Sequence, residues 1–207
     1  MKIIEQSWSW LQKPNNPLIA IEKAGRTCYK SEDKISEGSA EKFIKMIVSR
    51  GHETVIEHVS ASLCITTNRG VTHELVRHRL SSFSQESTRY VRYDGNMEFI
   101  KPVWYDNWSE DEQKMWKKSM QESEDAYIYL LKNGSRAEQA REVLPNSLKT
   151  EIVMTANLRE WRHVFNLRCS KAAHPQIRVL MINILKEFYT EMPVVFEDLY
   201  QKYCLDK

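Results

Sequence analysis

Glycine is scarce in this sequence, since the 207-residue chain contains only 6 glycines. Neither the Gly-x-Gly-x-x-Gly fingerprint nor a Walker loop occurs, and the Gly-x-Ser-x-Gly elbow of many hydrolases is missing too. Glycine-rich loops hold phosphate through backbone N–H groups. A phosphate bound by this chain therefore has to be held by side chains.

Cysteine is also rare, and the chain has no Cys-x-x-Cys pair. The 4 cysteines are irregularly spaced, at Cys28, Cys64, Cys169 and Cys204. Disulfide frameworks and zinc sites use closer and more regular spacings. The pattern favours four reduced thiols in a cytosolic protein over disulfides or a zinc site.

The sequence has no long apolar run and no strong charge of one sign. The best apolar segment, VLMINIL at 179–185, carries Asn183 and is too short to span a membrane. The segment MKIIEQSWSWLQ lacks the apolar centre of a signal peptide. The net charge of +2 gives no global support for coating a polyanion. We expect a soluble, cytoplasmic protein with no membrane partner and no nucleic-acid partner.

Periodicity and turn signals predict a single α+β domain over residues 1–207, with a mixed helix and sheet core and long helices. Pro17 and Pro175 are typical of first helical turns, and Ser109 with Glu112 forms a capping box. Residues 51–58 and 80–96 are predicted as loops. Strands are expected near the N terminus and at 59–68, 97–102 and 148–157, and helices at 17–30, 39–50, 69–79, 110–132, 135–144, 158–168 and 175–189.

The segment RHRLSSFSQESTRY, residues 77–90, concentrates hydrogen-bond donors without an acidic run to neutralise them. Arginine offers paired donors that suit phosphate and carboxylate. Residues two apart on a helix do not share a face, so Arg77 and Arg79 serve one ligand only if the helix ends there. Two hypotheses stay open: a solvated helix end, or a segment that binds anions on two sides.

A second candidate segment is ANLREWRHVFNLR, residues 156–168. Helical spacing places Leu158, Trp161, Val164, Phe165 and Arg168 on one face, so that a cation ends an apolar stripe. Such a cation is costly unless it is paired, although it can also reach solvent along its own stem. Arg159 and His163, four residues apart, share a neighbouring face.

Histidine spacing argues against a metal site. The segment GHETVIEH, residues 51–58, offers His52 and His58, and the segment HELVRH superficially resembles the helix of zinc proteases. That helix needs two histidines four residues apart, whereas His73 and His78 are five apart, about 140° around a helix. No metal is predicted.

Several segments together resemble one known family. Arg77-His78-Arg79, followed after seven residues by Ser87 and then by Arg89-Tyr90, is similar to the signature of flavin-dependent thymidylate synthases. GHETVIEH, AREVLP, NLREW, FNLR and AAHPQIR resemble other family segments in the same order. The resemblance extends over roughly residues 15 to 200.

The resemblance implies a homotetramer with active sites between subunits. FAD is reduced by NADPH, and a methylene group from 5,10-methylenetetrahydrofolate becomes the methyl group of dTMP after transfer to dUMP. The family needs no cysteine nucleophile, so Cys169 is expected to be a packing residue. In such a flavoprotein the cofactor carries the hydride chemistry, and the protein supplies positioning and electrostatics.

The same resemblance implies two sets of binding residues. Those expected to contact FAD are His52, Thr54, Arg77, His78, Arg79, Gln85, Asn157, Leu158, Arg159 and His163. Those expected to contact dUMP are Glu74, Arg77, Gln85, Glu86, Ser87, Thr88, Arg89, Arg141 and Arg168. Arg168 matches the catalytic arginine that favours ionisation of the uracil at N3, and Arg89 and Arg141 suit a phosphate dianion.

Four positions depart from the common family pattern. Ser84 and His163 replace a frequent Asn, Glu74 replaces Gln, and Thr88 replaces Gly. A threonine does not adopt positive φ cheaply, so Thr88 predicts an altered loop backbone. Two rival functions remain: a nucleic-acid or nucleotide-binding module without catalysis, and a flavin-binding relative that has lost methylation.

Overall fold

The strands of the protein are short except for two long ones that carry the alternating patterns of the sequence. The computed structural model describes residues 1–205. Within them Ser60–Asn68 and Lys149–Asn157 confirm the two alternating segments as strands, and buried side chains recur along both. The strands in chain order are β1 Lys2–Ile4, β2 Ser7–Gln12, β3 Ser60–Asn68, β4 Ser82–Gln85, β5 Glu98–Ile100 and β6 Lys149–Asn157.

The helices begin where the capping signals predict. Proline stands in the first turn of three of them, at Pro17, Pro175 and Pro193. The Ser109–Glu112 capping box is confirmed, because Ser109 N–H donates to Glu112 Oε2 at 2.7 Å and Glu112 N–H donates to Ser109 Oγ at 3.3 Å. The helices are α1 Pro17–Tyr29, α2 Ser39–Ser49, α3 Arg69–Leu75, α4 Glu110–Lys132, α5 Ala137–Ala140, α6 Leu158–Arg168, α7 Pro175–Glu191 and α8 Pro193–Tyr200.

The strands form two sheets. β1 and β5 pair in parallel, with Lys2 opposite Glu98 and Ile4 opposite Ile100. The larger sheet has four strands in the order β2-β3-β6-β4, so the two long strands are central. This combination of sheets and helices confirms the α+β class.

The chain divides into two compact units. The first comprises residues 1–9, 64–77 and 83–153, and the second comprises residues 10–63, 78–82 and 154–207. The interpretation of residues 1–207 as a single domain stays a prediction.

The first unit has its own apolar core beside α4. Tyr127 and Phe99 are fully buried there, and Leu148 and Met97 are almost fully buried. Met120, Tyr127 and Leu131 lie on the same face of α4. Their spacings of seven and four residues correspond to about two turns and about one turn of helix. This core supports α5 and the residues that follow it, which include Arg141.

The core of the second unit is aromatic. Trp161 and Phe165 of α6 pack against Phe188 of α7, with ring centroids 5.1 and 5.3 Å from the Phe188 ring. Phe196 of α8 contacts Phe188 edge to face at 5.3 Å. The indole N–H of Trp161 donates to the backbone oxygen of Ala61 at 3.1 Å. These contacts fix the rotation of α6, and with it the direction of its polar side chains.

Three local predictions were wrong, and one helix was not predicted. The helix predicted over 69–79 ends at Leu75, and residues 82–85, predicted as loop, form β4. The GHETVIEH segment contains a 3-10 helix, Glu53–His58, which buries Val55 and Ile56. Helix α8 was not anticipated, because eight residues are too few for periodicity to reveal a buried face.

No helix within residues 1–205 is long and apolar enough to cross a membrane.

Gly25 provides a test of the packing between α1 and α2. A Cβ atom there would lie 2.4 and 2.7 Å from two ring atoms of Phe43, whose other contacts include the Arg26 guanidinium, 4.4 Å from the ring centroid. Alanine normally stabilises a helix interior relative to glycine. Here we expect Gly25→Ala to lower the free energy of unfolding by about 1–3 kcal/mol, measured by urea denaturation. Adding Phe43→Leu should recover part of that loss, and additive effects of the two changes would contradict the proposed overlap.

Candidate active site

Helix α6 carries most of the predicted functional side chains of the second unit. Asn157 caps the helix, because its Oδ1 accepts the N–H of Glu160 at 2.9 Å. The predicted apolar face is confirmed: Leu158, Trp161, Val164 and Phe165 are all fully buried. Burial of this face turns Arg159 and His163 outward, where both are exposed.

Arg168 ends the apolar face and is paired. Its Nε–H donates to Nε2 of His78 at 3.0 Å. The alternative that Arg168 only extends along its stem into solvent is therefore wrong. A half-buried guanidinium gains most from an acceptor that is itself shielded from water, and the His78 side chain is only 2% exposed.

His78 has a polar neighbour at each ring nitrogen and a hydrogen bond at Nε2. Its Nδ1 lies 3.5 Å from Oε1 of Glu160, in the first turn of α6. The His163 ring meets the imidazole edge to face, with centroids 5.7 Å apart. Burial, followed by the positive charge of Arg168 and by His163, lowers the pKa of His78 to about 4. The imidazole is therefore neutral at physiological pH, and its proton is assigned to Nδ1 because Nε2 accepts from Arg168.

The same cluster is the metal-binding candidate among residues 1–205. His78, Glu160 and His163 each offer one ligand atom, and these three atoms lie within 4.8 Å of one another. Nε2 of His78 already accepts a hydrogen bond from a permanent cation, Arg168. A second positive ion beside that guanidinium would be repelled. We interpret the group as a hydrogen-bonded cluster and assign no metal to it.

Arg162 is a residue that sequence reasoning missed. Its side chain is only 7% exposed, and it donates to Glu53 at 2.8 Å and to both oxygens of Asp198 at 2.8 and 2.7 Å. It also donates to the backbone oxygen of Val195. The signal was present, because Arg162 lies four residues after Leu158 and three before Phe165, within the buried face. This arginine ties the 3-10 helix at 53–58 and α8 to α6.

A polar cavity of about 640 Å³ opens along α6. The residues predicted to hold FAD that line it are Asn157, Arg159 and His163. Arg159, with a side chain 53% exposed, is paired with Glu57 and lies 3.8 Å from Glu53. The other lining residues are Glu53, Glu57, Leu80, Glu160, Arg162 and Asn166. The cavity thus offers one exposed cation, Arg159, three glutamate carboxylates and the neutral amides of Asn157 and Asn166.

The remaining FAD candidates of the second unit lie around this helix without lining the cavity. His52 and Thr54 are exposed at the start of the 3-10 helix, and Arg79 is exposed beside buried His78. The side chain of Leu158 is in the core, and its N–H donates to the backbone oxygen of Val59 at 2.9 Å. Leu158 can therefore reach a ligand only through its backbone.

Eight of the nine residues predicted to hold dUMP belong to the first unit, and Arg168 belongs to the second. Gln85 Nε2 donates to Thr72 Oγ1 at 2.9 Å and to Thr150 Oγ1 at 3.3 Å, which connects β4 to α3 and β6. Glu74 is half-buried on α3, and Arg77 is exposed just past its end. Because α3 ends at Leu75, Arg77 and Arg79 are not constrained to helical spacing.

Glu86 has partners that the sequence did not suggest. Tyr93 donates its hydroxyl hydrogen to Glu86 Oε1 at 2.8 Å, and Lys149 Nζ lies 3.5 Å from Oε2. Burial, reinforced by the hydrogen bond to Glu86, raises the pKa of Tyr93. The phenol therefore stays protonated and fixes the carboxylate. Tyr93 lies in a predicted loop without periodicity, so no sequence signal marked it.

Thr88 fits the loop without backbone strain. Among residues 1–205, the non-glycine residues with positive φ are Asn16, Lys30 and Asn96, so Thr88 avoids positive φ, as expected of a threonine, and the altered loop backbone stays a prediction. Its side chain is buried, and Arg141 Nη1 donates to its Oγ1 at 3.5 Å. Arg89 Nε lies 4.0 Å from Glu138, just before Arg141 in the chain. Ser87 accepts the N–H of Arg89 through Oγ at 3.3 Å.

The four cysteines are free thiols. Cys169 is buried beside Arg168, and burial, followed by the nearby Cys204, raises its pKa. A thiol of that kind is not a nucleophile, because the thiolate is the reactive species. Cys169 is a packing residue, as predicted.

Comparison with known proteins gives the family. The family model described as "Thymidylate synthase complementing protein" matches residues 10–194. The flavin-dependent thymidylate synthase of Geobacter sulfurreducens is 37% identical over 196 residues, covering 91% of this chain and 84% of the relative. That of Mycobacteroides abscessus is 35% identical, covering 91% and 82%. The chain therefore belongs to the family of flavin-dependent thymidylate synthases and is an enzyme of the methyltransferase class.

A solved structure is similar over nearly the whole chain. It is the crystal structure of a UMP/dUMP methylase, PolB from Streptomyces cacaoi, bound with 5-Br dUMP. The two chains have a TM-score of 0.82 and 24% sequence identity, and each is covered to 98%. At this identity the likeness shows that the fold is shared.

Because His78 is buried in its neutral form, we expect the free energy of unfolding to depend on pH. Its pKa is lowered from 6.5 to about 4 on folding, so below pH 6.5 the unfolded chain binds more protons and folding is opposed. This cost is absent above pH 6.5, grows as the pH falls and is complete below pH 4. We expect it to reach about 2 kcal/mol at pH 5 and to be absent in His78→Gln.

Urea unfolding at pH 7.5 and pH 5.0 measures the effect. The difference in the free energy of unfolding between pH 7.5 and pH 5.0 should be smaller in His78→Gln than in the wild type. The exposed His58→Gln is the matched control. Equal pH dependence in the wild type and His78→Gln would contradict a neutral, buried His78.

Proposed function

We propose that this enzyme methylates dUMP to dTMP, with FAD as cofactor, NADPH as reductant and 5,10-methylenetetrahydrofolate as the one-carbon donor. The observation that carries the proposal is the convergence of Asn157, Arg159 and His163 on one cavity, since all three were predicted to hold FAD. The names of the relatives, flavin-dependent thymidylate synthases from several bacteria, support the same activity.

The donor set of the cavity fits a flavin dinucleotide. Arg159 supplies an exposed cation for a pyrophosphate, and its pairing with Glu57 and Glu53 is open enough to exchange for an anion. The Oδ1 of Asn157 is used by the helix cap, so its amide nitrogen is the donor for a ligand. His163 is exposed and adds a further polar group. When bound, the flavin supplies the hydride-transfer chemistry.

The β4 segment and the residues after it suit a nucleotide monophosphate. Arg89 and Arg141 can each donate to phosphate oxygens. Arg141 belongs to the segment 137–143, and Arg89 lies 4.0 Å from Glu138 in the same segment. Ser87 and Gln85 offer further polar groups. Glu86 stays fixed by Tyr93 and accepts hydrogen bonds from sugar or base. Glu74 and Arg77 complete the proposed set for dUMP.

Arg168 is proposed as the catalytic residue. A guanidinium shielded from water stabilises developing negative charge strongly, because the local screening is weak. Ionisation of the uracil ring at N3 creates such a charge. Arg168 is paired with the neutral imidazole of His78, and this partner does not cancel the positive charge of the guanidinium. No thiol needs to attack the ring, in keeping with the buried Cys169.

We propose a cytoplasmic homotetramer in which the active sites form between subunits. The residues assigned to FAD and dUMP come from segments spread between positions 52 and 168, and Arg77 is assigned to both ligands. Exposed Arg77 and Arg79 flank buried His78, so their side chains can serve two ligands. An intersubunit pocket accommodates that arrangement.

The proposed activity predicts a yellow protein whose flavin spectrum changes on addition of dUMP. NADPH oxidation by the flavin-loaded enzyme should yield dTMP only when methylenetetrahydrofolate is present. Formation of dTMP by flavin-free protein would overturn the proposal. A colourless protein that binds nucleic acid with a steep salt dependence would support the binding-module alternative instead. Tight dUMP binding without product would indicate a relative that has lost methylation.

Arg168→Ala tests the catalytic assignment. We expect flavin to remain bound and dTMP formation to fall by about 100-fold or more, since the group that stabilises the charge is lost. Flavin absorbance and single-turnover assays measure the two effects separately. The charge-matched control Lys114→Ala, whose side chain is 71% exposed on α4, should keep full activity. Wild-type turnover by Arg168→Ala would refute the assigned role.

A further inference from the structure

We propose that the imidazole of His78 is a positioning residue for Arg168 and not a direct contact to the flavin. Its Nε2 holds the guanidinium in one orientation, while Glu160 selects the imidazole tautomer that can do so. The inference rests on the proposed catalytic role of Arg168. It differs from the expectation that His78 contacts FAD, because it assigns the side chain to another task.

The imidazole is hydrogen-bonded at Nε2 and has a carboxylate near Nδ1. Arg168 Nε–H donates to Nε2 at 3.0 Å, and Glu160 Oε1 lies 3.5 Å from Nδ1. The His163 ring covers a third side, with centroids 5.7 Å apart. The His78 side chain is 2% exposed, whereas its neighbours Arg77 and Arg79 are exposed. Within this segment the two arginines are exposed, whereas the imidazole faces the protein.

Anchoring Nε fixes the whole guanidinium. The group is planar and rigid, so one hydrogen bond in that plane sets the directions in which Nη1 and Nη2 can donate. Arg168 stands in the last turn of α6, where a long side chain otherwise samples several rotamers. A catalytic group gains from being held before the substrate arrives, since no reorganisation is then needed.

The hydrogen bond exists only for one protonation state of His78. Arginine stays protonated in proteins, so its Nε–H is always a donor and Nε2 has to present a lone pair. The proton of the neutral ring is then on Nδ1, on the side of the Glu160 carboxylate, whose Oε1 lies 3.5 Å from Nδ1. Charging the imidazole would place an N–H against the N–H of Arg168. The charged and titratable groups facing the ring are Arg168, Glu160 and His163, all from α6, and Arg168 and then His163 oppose its protonation.

Glu160 and Arg168 belong to opposite ends of one helix. Their separation of eight positions corresponds to a rise of about 12 Å along α6. His78 comes from a distant segment and bridges the first and last turns. The bridge accounts for a buried carboxylate in the first turn, Glu160, whose side chain is 6% exposed.

Three variants distinguish positioning from flavin contact. His78→Leu removes the acceptor, and we expect kcat for dTMP formation at saturating flavin to fall about 10- to 100-fold, while the flavin Kd changes less than 3-fold. His78→Gln keeps an acceptor oxygen and should restore most of the activity. His163→Gln, at a cavity-lining residue, should show the opposite pattern, with weaker flavin binding and a smaller effect on kcat.

A spectroscopic measurement tests the contact without turnover. In flavin-free protein labelled with ¹⁵N-histidine, His78 should show an unprotonated Nε2 and a protonated Nδ1 between pH 5 and pH 8. In Arg168→Ala the pKa of His78 should rise, because a donor and a positive charge are both removed. In Glu160→Gln the fraction of His78 in the Nδ1–H tautomer should be smaller. The control His58→Gln should change neither His78 signal.

The outcomes separate the inference from the proposed function. Flavin binding at least 10-fold weaker in both His78 variants, with kcat unchanged at saturating flavin, would show a direct flavin contact and overturn the inference. An unchanged His78 titration in Arg168→Ala would overturn it as well. If His78→Leu does not fold, His78→Gln and the ¹⁵N titration decide. A wild-type protein that makes no dTMP would refute the proposed function, while the ¹⁵N measurement would still report the Arg168–His78 contact.

Discussion

The arrangement of the second unit depends on one requirement, that the cation at the end of a buried helix face has a partner. Four apolar residues of α6 are fully buried, and the face they define ends at Arg168. An unpaired guanidinium in that position would be strongly destabilising. His78 meets the requirement with an uncharged acceptor, so the positive charge is held in place without being neutralised by that partner. A carboxylate in place of His78 would hold the arginine equally well and cancel the charge that the proposed chemistry uses.

The aromatic core gives this contact its precision. Trp161 and Phe165 pack against Phe188, and the indole N–H of Trp161 is bonded to the backbone of Ala61. Because these contacts fix the rotation of α6, they also decide that Arg159 and His163 face outward along the cavity. Arg162 reinforces the same helix from another side through Glu53 and Asp198. Packing and electrostatics thus act on one element, and the candidate cofactor site is a consequence of how that element is buried.

Much of this could be predicted from local patterns. The capping box at Ser109, the prolines in first turns and the alternation in β3 and β6 are local signals, since each depends on residues only a few positions apart. The apolar stripe of α6 was predicted for the same reason. What failed also has a local cause: β4 and α8 are too short to show a period. Tyr93 and Arg162 gain their roles from partners far along the chain, at Glu86, Glu53 and Asp198.

The amino-acid sequence by itself determined the class of the fold, the family and the side chains available for binding anions in a chain with few glycines. These follow from composition, order and spacing, which are properties of the chain alone. Only the tertiary structure decided which donors meet which acceptors. It placed Nε2 of His78 against Arg168 across 90 residues of sequence, and it set the pKa of that histidine through burial and a neighbouring charge. Hydrogen bonds and desolvation depend on distances in space, and those distances exist only once the apolar faces have packed.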